Sequence, residues 1–397
     1  MTIPNLAAFG FADDYQAAYD TAYRYAEREL YPLCKRMDDE DWFPEEAFRK
    51  LAGQGLLGVT VPAAYGGAEM DVLTQCLIAE AVAYWNHTLS AGMLASDNLC
   101  LHNLVRNANE DQKRRYLPGF CNGSIIGALG MTEPGAGSDA LGSMATTARR
   151  DGDDYVLNGR KLFITNGPVA DVLLVYAKTD MARRQHGISA FIVEKTFPGF
   201  SVAQKLDKMG WRGSPTGELV FDECRVPAGN LVGEENRGNV VMMSGLDIER
   251  VIGAFFDIGL AQRAFDLALD YATQRKQFGR AIGEFQMIQA MLADMYTELE
   301  AMRALTYQVG REILGVPPGE EGRGEIHKRS AAALLAAGRG CMRILDQAVQ
   351  IHGGMGFMRE MEVNRLYRSG KVGEIAAGSN QIRQVIIAGE LLKGVRA

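Results

Sequence analysis

The stretch Gly130-Met131-Thr132-Glu133-Pro134-Gly135-Ala136-Gly137-Ser138-Asp139 separates two parts of the chain whose residue patterns differ. Its small residues bracket two hydroxyls and two carboxylates, and such residues allow a backbone to approach another group closely. Gly135, Gly137 and Ala140 superficially match a dinucleotide-binding fingerprint, but a β-like segment follows instead of a helix. We therefore exclude a Rossmann NAD site, and a tight, capped loop stays open as the alternative.

The chain before this stretch has a helical pattern from Asp13 to about Arg115. Apolar and aromatic residues recur there at steps of three and four, which is typical of amphipathic helices. They are Tyr15, Tyr19, Ala22, Tyr23, Ala26 and Leu30. We predict an N-terminal α-helical domain over residues 1–123.

After residue 124 the chain consists of short β-branched and aromatic runs separated by Asp-Gly, Asn-Gly and Pro-Gly turns. These predicted strands are 155–157, 162–165, 172–176, 188–193 and 219–221. Helical periodicity returns beyond Gly238, in long segments over 240–274, 282–314, 327–349 and 381–392. We predict a middle β domain over 124–235 and a C-terminal helical bundle over 236–397.

Composition excludes several classes of function. The 397 residues are 47% hydrophobic and 23% charged, with a net charge of −7 and no polybasic run, so we expect no nucleic-acid or membrane partner. We find no spanning segment and no secretion signal, and we expect a cytoplasmic protein. Six scattered cysteines and five histidines lack metal-ligand spacing, so we expect no metal site. No Walker loop or nucleophile elbow is present.

A second glycine-rich run, 350–357, follows the third long C-terminal helix. Together with the first stretch, with the segment 161–166 and with Arg275-Lys276-Gln277-Phe278-Gly279, it resembles the acyl-CoA dehydrogenase family over nearly the whole chain. The closest resemblance is to the isovaleryl-CoA dehydrogenase type. It implies an α+β multi-domain fold: an N-terminal α domain, a middle antiparallel β domain and a C-terminal domain like a four-helix bundle.

The resemblance also implies FAD as cofactor and assigns residues to it. Leu129, Met131 and Thr132 match the segment that lines the isoalloxazine. Phe163 and Thr165 match the two residues that pack on the flavin and hydrogen-bond to it. Ser138 matches a hydroxyl that reaches the pyrophosphate and is also placed among the substrate contacts. The remaining cofactor residues are implied near the adenosine end (Ser379, Gln381) or from a neighbouring subunit of a homotetramer (Arg275, Phe278, Gln350, Gly354).

The chain departs from most of the family at the catalytic base. The usual glutamate precedes the glycine of a late loop, but here Ala377 precedes Gly378. The run 243–250 resembles the isovaleryl-type arrangement, in which the base lies on the helix that lines the substrate cavity. The resemblance therefore assigns the α-proton base to Glu249. Taken without it, Glu249 has the pattern of a solvated helix residue.

Further substrate residues follow from the same resemblance. Asp247 and Arg250 match positions that meet CoA, although their spacing equally suits an ion pair within the helix. Gly253, Ala376 and Ala377 leave the cavity walls small, which favours a short to medium or branched acyl chain, and Gly378 is placed with Ala377 among the substrate contacts. The acidic residue in Ser96–Cys100 keeps a polar acyl end as an alternative.

These features predict an FAD-dependent acyl-CoA dehydrogenase that forms the trans-2-enoyl-CoA and passes electrons to electron-transfer flavoprotein. Three alternatives remain open at this point. One is a dehydrogenase of an acyl or prolyl thioester on a carrier protein, and another is an acyl-CoA oxidase that uses oxygen. The third is a flavin-binding or scaffolding relative without catalysis, which the presence of Glu249 disfavours.

Overall fold

The computed structural model describes residues 4–317 and 322–393. The outermost residues of the first and third predicted domains, 1–3 and 394–397, lie outside the described residues. Along the chain, a helical region is followed by a β-sheet region and then by a second helical region. Within the described ranges, no helix is long and apolar enough to cross a membrane.

The first helical region is built around one buried helix. Its helices are α1 Asp13–Tyr25, α2 Cys34–Glu40, α3 Glu45–Lys50, α4 Val72–Met93, α5 Asn103–Asn107 and α6 Glu110–Cys121. Nearly every residue of α4 is buried, in agreement with its apolar composition. A π-helical segment, Leu94–His102, continues α4 without a break. Such segments rotate the following side chains relative to an α-helix, and this one turns residues toward the cavity described below.

The middle region is one sheet with mainly antiparallel pairing. Its strands are β1 Gly127–Gly130, β2 Thr147–Asp151, β3 Asp154–Thr165, β4 Val172–Lys178, β5 Ile188–Glu194, β6 Phe200–Lys205, β7 Thr216–Pro227 and β8 Leu231–Val232. They are ordered β6-β7-β3-β2-β4-β5-β8, and β1 pairs with β4. The pairings β1–β4 and β2–β4 are parallel. Residues 131–146 connect β1 to β2 as a loop rather than a helix, in agreement with the exclusion of a Rossmann site.

The second helical region carries the long helices. They are α7 Gly238–Gln274, α8 Gln286–Glu312, α9 Gly324–His352, α10 Glu362–Gly370 and α11 Asn380–Lys393, with a small hairpin of β9 Lys276–Gln277 and β10 Arg280–Ala281 after α7. At 37 residues, α7 is about 55 Å long. It packs directly on α4 at Gly259, where an added Cβ would lie 2.3 Å from the Glu80 carbonyl oxygen. One apolar core therefore joins both helical regions.

Candidate active site

A cavity of about 120 Å³ lies between the end of α4, helix α7, helix α9 and the loop before α11. Its lining is mostly apolar. The lining residues are Ala91, Leu94, Ala95, Asn98, Leu99, Thr165, Trp211, Glu249, Gly253, Phe256, Asp257, Leu334, Val372, Gly373, Ala376, Ala377 and Arg383. Of the predicted site residues, the structure thus brings Glu249, Gly253, Ala377 and Thr165 together.

Glu249 projects from α7 into this cavity, and its carboxylate accepts no hydrogen bond from the described residues. Burial raises the pKa of Glu249 to about 7, while the charges of Arg250 and Arg383 act in the opposite direction. A carboxylate with a near-neutral pKa in an apolar site suits a general base that works near pH 7.

Asp247, two residues earlier, is completely buried and fully hydrogen-bonded. Its Oδ1 lies 3.0 Å from Arg250 Nη1, 2.8 Å from His327 Nδ1 and 3.0 Å from Ser330 Oγ. The Gly322 amide donates to Oδ2 at 2.7 Å. Burial alone would raise the pKa of Asp247, but these contacts hold it below its usual range. The ion pair within the helix, which the sequence left as an alternative, is therefore present.

The loop before α11 forms the wall opposite Glu249. Ala377 and Gly378 both have left-handed backbones, with φ of +54° and +82°. Arg383, at the start of α11, holds this loop by donating to the Gly373 carbonyl at 2.8 Å and to the Ala376 carbonyl at 2.6 Å. A methyl group thus faces the cavity where most of the family would place a carboxylate.

Sequence reasoning missed two charged groups in the cavity, Asp257 and Arg383. Asp257 lies on α7 four residues after Gly253 and eight after Glu249, so all three share one face of the helix. This spacing was the available signal for Asp257. Arg383 comes from a helix more than a hundred residues away, and no local pattern indicates that it reaches the same cavity.

The predicted flavin segment lies beside this cavity and is braced by a buried ion pair. Lys161 Nζ lies 2.7 Å from Glu133 Oε1, and both side chains are almost fully buried. Burial lowers the pKa of Lys161 to about 8, an effect that Glu133 partly offsets. The Leu162 amide donates to the Thr132 carbonyl at 2.8 Å. Leu129, Met131 and Thr132 are in this way fixed next to the end of β3, which carries Phe163 and Thr165.

The exposed groups of this segment fit a flat, polar-edged cofactor such as FAD. The Phe163 side chain is 64% exposed and sits on a left-handed backbone with φ of +61°, which holds the ring away from the sheet. Ser138 is exposed, and no atom lies within 4 Å of a Cβ built on Gly135 or Gly137. An aromatic face, hydroxyls and open glycine backbone together can receive an aromatic ring and a diphosphate.

The other predicted cofactor residues lie elsewhere on the surface. Arg275 follows α7, and Phe278, in the hairpin, is 93% exposed. Gln350 and Gly354 lie at the end of α9, and a stack of Tyr271 on His352 (4.3 Å between ring centroids) brings this end close to that of α7. The ends of α7 and α9, which these four residues follow or occupy, are therefore neighbours. Phe278 meets the edge of Phe285 at 6.0 Å between ring centroids, and most of its surface remains exposed.

The last two predicted cofactor residues lie at the start of α11. The Ser379 hydroxyl accepts a hydrogen bond from the Ile382 amide at 3.4 Å, which is the contact of a helix cap. Gln381 is exposed.

A carboxylate without a hydrogen-bond partner among the described residues lies in an apolar cavity, next to an exposed aromatic ring and hydroxyls, and this arrangement suits a flavin-dependent dehydrogenase. Comparison with known proteins gives the family. Family models describe the N-terminal, middle and C-terminal domains of acyl-CoA dehydrogenases, and they match residues 12–124, 128–224 and 236–392. The chain belongs to the acyl-CoA dehydrogenase family, which confirms the resemblance found in the sequence.

Individual relatives agree with this assignment over almost the full length. The chain is 44% identical over 384 residues to the mitochondrial 2-methylacyl-CoA dehydrogenase of Solanum tuberosum (96% of this chain, 91% of the relative). It is 42% identical over 397 residues to the mitochondrial isovaleryl-CoA dehydrogenase of Solanum tuberosum (98% and 94%). A chain in the structure reported for the electron transferring flavoprotein of Acidaminococcus fermentans superposes with a TM-score of 0.92 (37% identity, 96% and 99% covered).

The predicted class of enzyme and its fold are thereby confirmed. The protein is an FAD-dependent oxidoreductase of the acyl-CoA dehydrogenase type, with helical first and last regions and a central sheet. The roles assigned to individual site residues stay predictions and are developed next.

Proposed function

We propose that the protein dehydrogenates a short or branched acyl-CoA to the trans-2-enoyl-CoA, with Glu249 as the base that takes the α-proton. The observation that carries this proposal is the Glu249 carboxylate, which opens onto the cavity without a hydrogen-bond partner and has a pKa of about 7. In the reaction, the substrate loses a proton from C2 and a hydride from C3, and a double bond forms between these carbons. FAD, when bound, supplies the acceptor for the hydride.

The residues around Glu249 prepare it for proton abstraction. Leu94, Phe256 and Leu334 exclude water, and this raises the basicity of the carboxylate. The nearby charges of Arg250 and Arg383 limit the increase, so that a useful fraction of Glu249 is ionised at pH 7. Neither arginine forms an ion pair with Glu249, and its oxygens remain available to the substrate.

The size of the cavity supports a short acyl group. The cavity has a volume of about 120 Å³, and its lining includes Gly253, Ala376 and Ala377, which have little or no side chain. Gly253 provides part of this space, because a Cβ at this position would lie 3.2 Å from Leu334 Cδ1. The relatives named for 2-methylacyl-CoA and isovaleryl-CoA, which are small and branched substrates, point the same way.

We place the CoA portion near Arg250 and Ser138. Arg250 uses Nη1 for its contacts with Asp247 and His327, and its Nε is buried without a hydrogen-bond partner among the described residues. In this proposal Asp247 does not meet the ligand, because its oxygens are already occupied by Gly322, Ser330, His327 and Arg250. It positions Arg250 instead.

We also propose that FAD binding requires a second subunit in a homotetramer. Phe278, with 93% of its side chain exposed, and Arg275, Gln350 and Gly354 would serve the cofactor of a neighbouring subunit. FAD content should therefore fall as the oligomer dissociates. Sedimentation with simultaneous flavin absorbance measures this, and a monomer that retains all its FAD would contradict the proposal.

We propose electron-transfer flavoprotein as the electron acceptor. Support comes from the superposition on a chain in the structure reported for such a protein. The test compares steady-state reduction of a purified electron-transfer flavoprotein with hydrogen peroxide release in air. Stoichiometric peroxide without reduction of the flavoprotein would instead show an oxidase.

The central experiment is an anaerobic titration of the FAD-loaded protein. Straight and branched acyl-CoAs of two to eight carbons are added, and the loss of oxidised-flavin absorbance is recorded. We expect reduction to be fastest with four- to five-carbon chains. Reduction by the same acyl groups on acyl carrier protein, but not on CoA, would favour a carrier-protein substrate.

A further inference from the structure

The cavity contains two charged groups that the proposed chemistry does not use. Asp257 is 1% exposed and Arg383 is fully buried, and both line the cavity beyond Gly253. Asp257 lies eight residues from Glu249 on the same face of α7, which is a rise of about 12 Å along the helix. Asp257 therefore lies toward the end of the cavity distal to the base, and Arg383 lies close enough to both carboxylates for its charge to act on each.

Both groups have unmet hydrogen-bonding capacity. No described residue donates to either oxygen of Asp257, and Oδ2 is completely shielded. Arg383 donates through Nη1 and Nη2 to the carbonyls of Gly373 and Ala376, but its Nε has no partner. No ion pair joins the two side chains, although each is close enough to influence the charge of the other.

A substrate with an apolar acyl end would leave the polar atoms of Asp257 and Arg383 without hydrogen-bond partners, and this would weaken its binding. A buried polar group without a partner destabilises a complex by about 1–3 kcal/mol. A bound group that both accepts from the Arg383 Nε–H and donates to an Asp257 oxygen would remove this cost at both ends.

The charged side chains that line the cavity determine which polar group at the acyl end would bind most favourably. Glu249 and Asp257 are two acids, and the charge of Arg383 acts on both. Arg250 also acts on Glu249 but is paired with Asp247, and Glu374, outside the cavity, is paired with Lys371. An acyl carboxylate would add a third acid to the cavity. An acyl ammonium would face Arg383. A neutral hydroxyl avoids both penalties and can donate and accept at the same time.

We infer that the acyl group of the substrate carries a hydroxyl near its distal end, bound between Asp257 and Arg383. This inference rests on the proposed dehydrogenation and specifies its substrate class. The hydroxyl belongs beyond C3, toward the distal end of the acyl chain, because Asp257 lies beyond Gly253 on the face of α7 that carries the base. Asp257 is in this view a specificity-determining residue and not a catalytic one.

The test compares matched pairs of acyl-CoAs that differ by one hydroxyl. The pairs are 4-hydroxybutyryl-CoA with butyryl-CoA and 5-hydroxyvaleryl-CoA with valeryl-CoA, and glutaryl-CoA represents a carboxylate. We expect kcat/KM for flavin reduction to be at least about 10-fold higher for one hydroxyacyl-CoA than for its parent, since sites that hydrogen-bond a hydroxyl reject analogues lacking it. Asp257→Leu should abolish this preference, whereas Asp270→Leu, at an exposed position of α7, should retain it.

Binding provides a second readout that does not depend on turnover. In Glu249→Gln, the shift of the flavin spectrum gives Kd for each acyl-CoA, and the preferred hydroxyacyl-CoA should bind at least about 10-fold more tightly than its parent. Parents that equal or exceed both hydroxyacyl-CoAs in both assays, or a preference for glutaryl-CoA, would overturn the inference. Such a result would leave the proposed function intact as long as a parent acyl-CoA reduces the flavin.

Discussion

Asp247 and Glu249 are two carboxylates of one helix, separated by a single residue, and their surroundings are opposite. Asp247 is satisfied by Arg250, His327, Ser330 and the Gly322 amide, and its pKa lies below the usual range. Glu249 has no hydrogen-bond partner in the part of the chain that the structure describes, and burial raises its pKa to about 7. A step of two residues turns the side chain by roughly 200° around the helix, so the two groups face different neighbours.

This contrast teaches that the chemical role of each carboxylate is set by packing and not by its residue type. An ionised, hydrogen-bonded carboxylate is a poor base and a good structural anchor. A desolvated carboxylate is a good base, but its burial destabilises the folded state. Substitutions at the two positions should therefore have opposite effects on catalysis and stability.

The largest effect is expected for Glu249→Gln. Glutamine retains the shape of the side chain but cannot take the α-proton, so flavin reduction by acyl-CoA should slow by at least about 10²–10⁴-fold. Stopped-flow absorbance under anaerobic conditions measures this rate. FAD content and binding of an enoyl-CoA product should remain, and near-normal reduction would show that the proton goes elsewhere.

The double variant Glu249→Gln with Ala377→Glu is the matched control. It returns a carboxylate to the opposite wall of the cavity, where Ala377 now stands. Part of the reduction rate should return, with a changed preference for acyl length because the new side chain fills space. If the reduction rate did not recover, this would show that a carboxylate at residue 377 cannot reach C2 of the substrate.

Asp247→Asn should produce the complementary result. Removal of one partner from a buried ion pair typically lowers the free energy of unfolding by about 3–5 kcal/mol, because the other charge stays buried. Chemical denaturation of the FAD-loaded protein measures the loss. The limiting rate of flavin reduction should stay within about 10-fold of wild type while KM rises. A stable protein with a lost limiting rate would reverse the roles proposed for Asp247 and Glu249.

Gly253→Leu tests the face of α7 that Glu249 shares with Asp257. The new side chain would approach Leu334 and reduce the cavity, so preference should shift toward smaller acyl groups. A clash of this kind costs about 1–3 kcal/mol, or about 10- to 200-fold in relative kcat/KM. Gly315→Leu, which adds a side chain where no atom lies within 4 Å, is the control. Unchanged relative values in Gly253→Leu would remove this position from the site.

The smallest expected effect is the dependence of kcat/KM and of thermal stability on pH. Since Glu249 must be ionised to act, kcat/KM for flavin reduction should rise about 10-fold per pH unit below pH 7 and level off above it. The raised pKa of Glu249 has the opposite effect on stability, because the folded state becomes less stable as pH rises. As pH rises from the unfolded pKa near 4.5 through 7, the unfolded state ionises first and wild type loses stability relative to Glu249→Gln. Thermal unfolding of both proteins from pH 5 to pH 8 measures this divergence, and a constant difference in Tm would contradict it.

Much of the fold could be predicted from local patterns. The run 172–176 lies within β4, and the segment 240–274 lies within α7, because residue periodicity follows directly from strand and helix geometry. The parallel pairing of β1 with β4 could not be predicted, since strand direction depends on the connection and not on composition. The π-helical segment 94–102 was also missed, because its apolar pattern resembles that of the α-helix it continues.

The residues of the candidate site likewise divide into those that the sequence could predict and those that depend on long-range packing. Glu249 was found because Ala377 lacks a carboxylate and the family resemblance offered a replacement. Asp257 was given no role in the sequence, although it lies on the same face of α7 as Glu249. Arg383 reaches the same cavity because α11 packs on α9, which in turn packs on α7, and so brings it near Asp257 from a distant part of the chain. Long-range packing of this kind leaves no periodic trace in the sequence.

The buried pair of Lys161 and Glu133 has a consequence for how this sequence can change over generations. Loss of either residue alone would leave an unpaired charge inside the protein, which costs about 3–5 kcal/mol. The Glu133 carboxylate also accepts hydrogen bonds from the Ala145 and Thr146 amides, so an apolar pair at the two positions would leave these amides without their acceptor. We therefore expect substitutions at the two positions to be coupled, so that the loop that carries Glu133 changes together with the strand that carries Lys161.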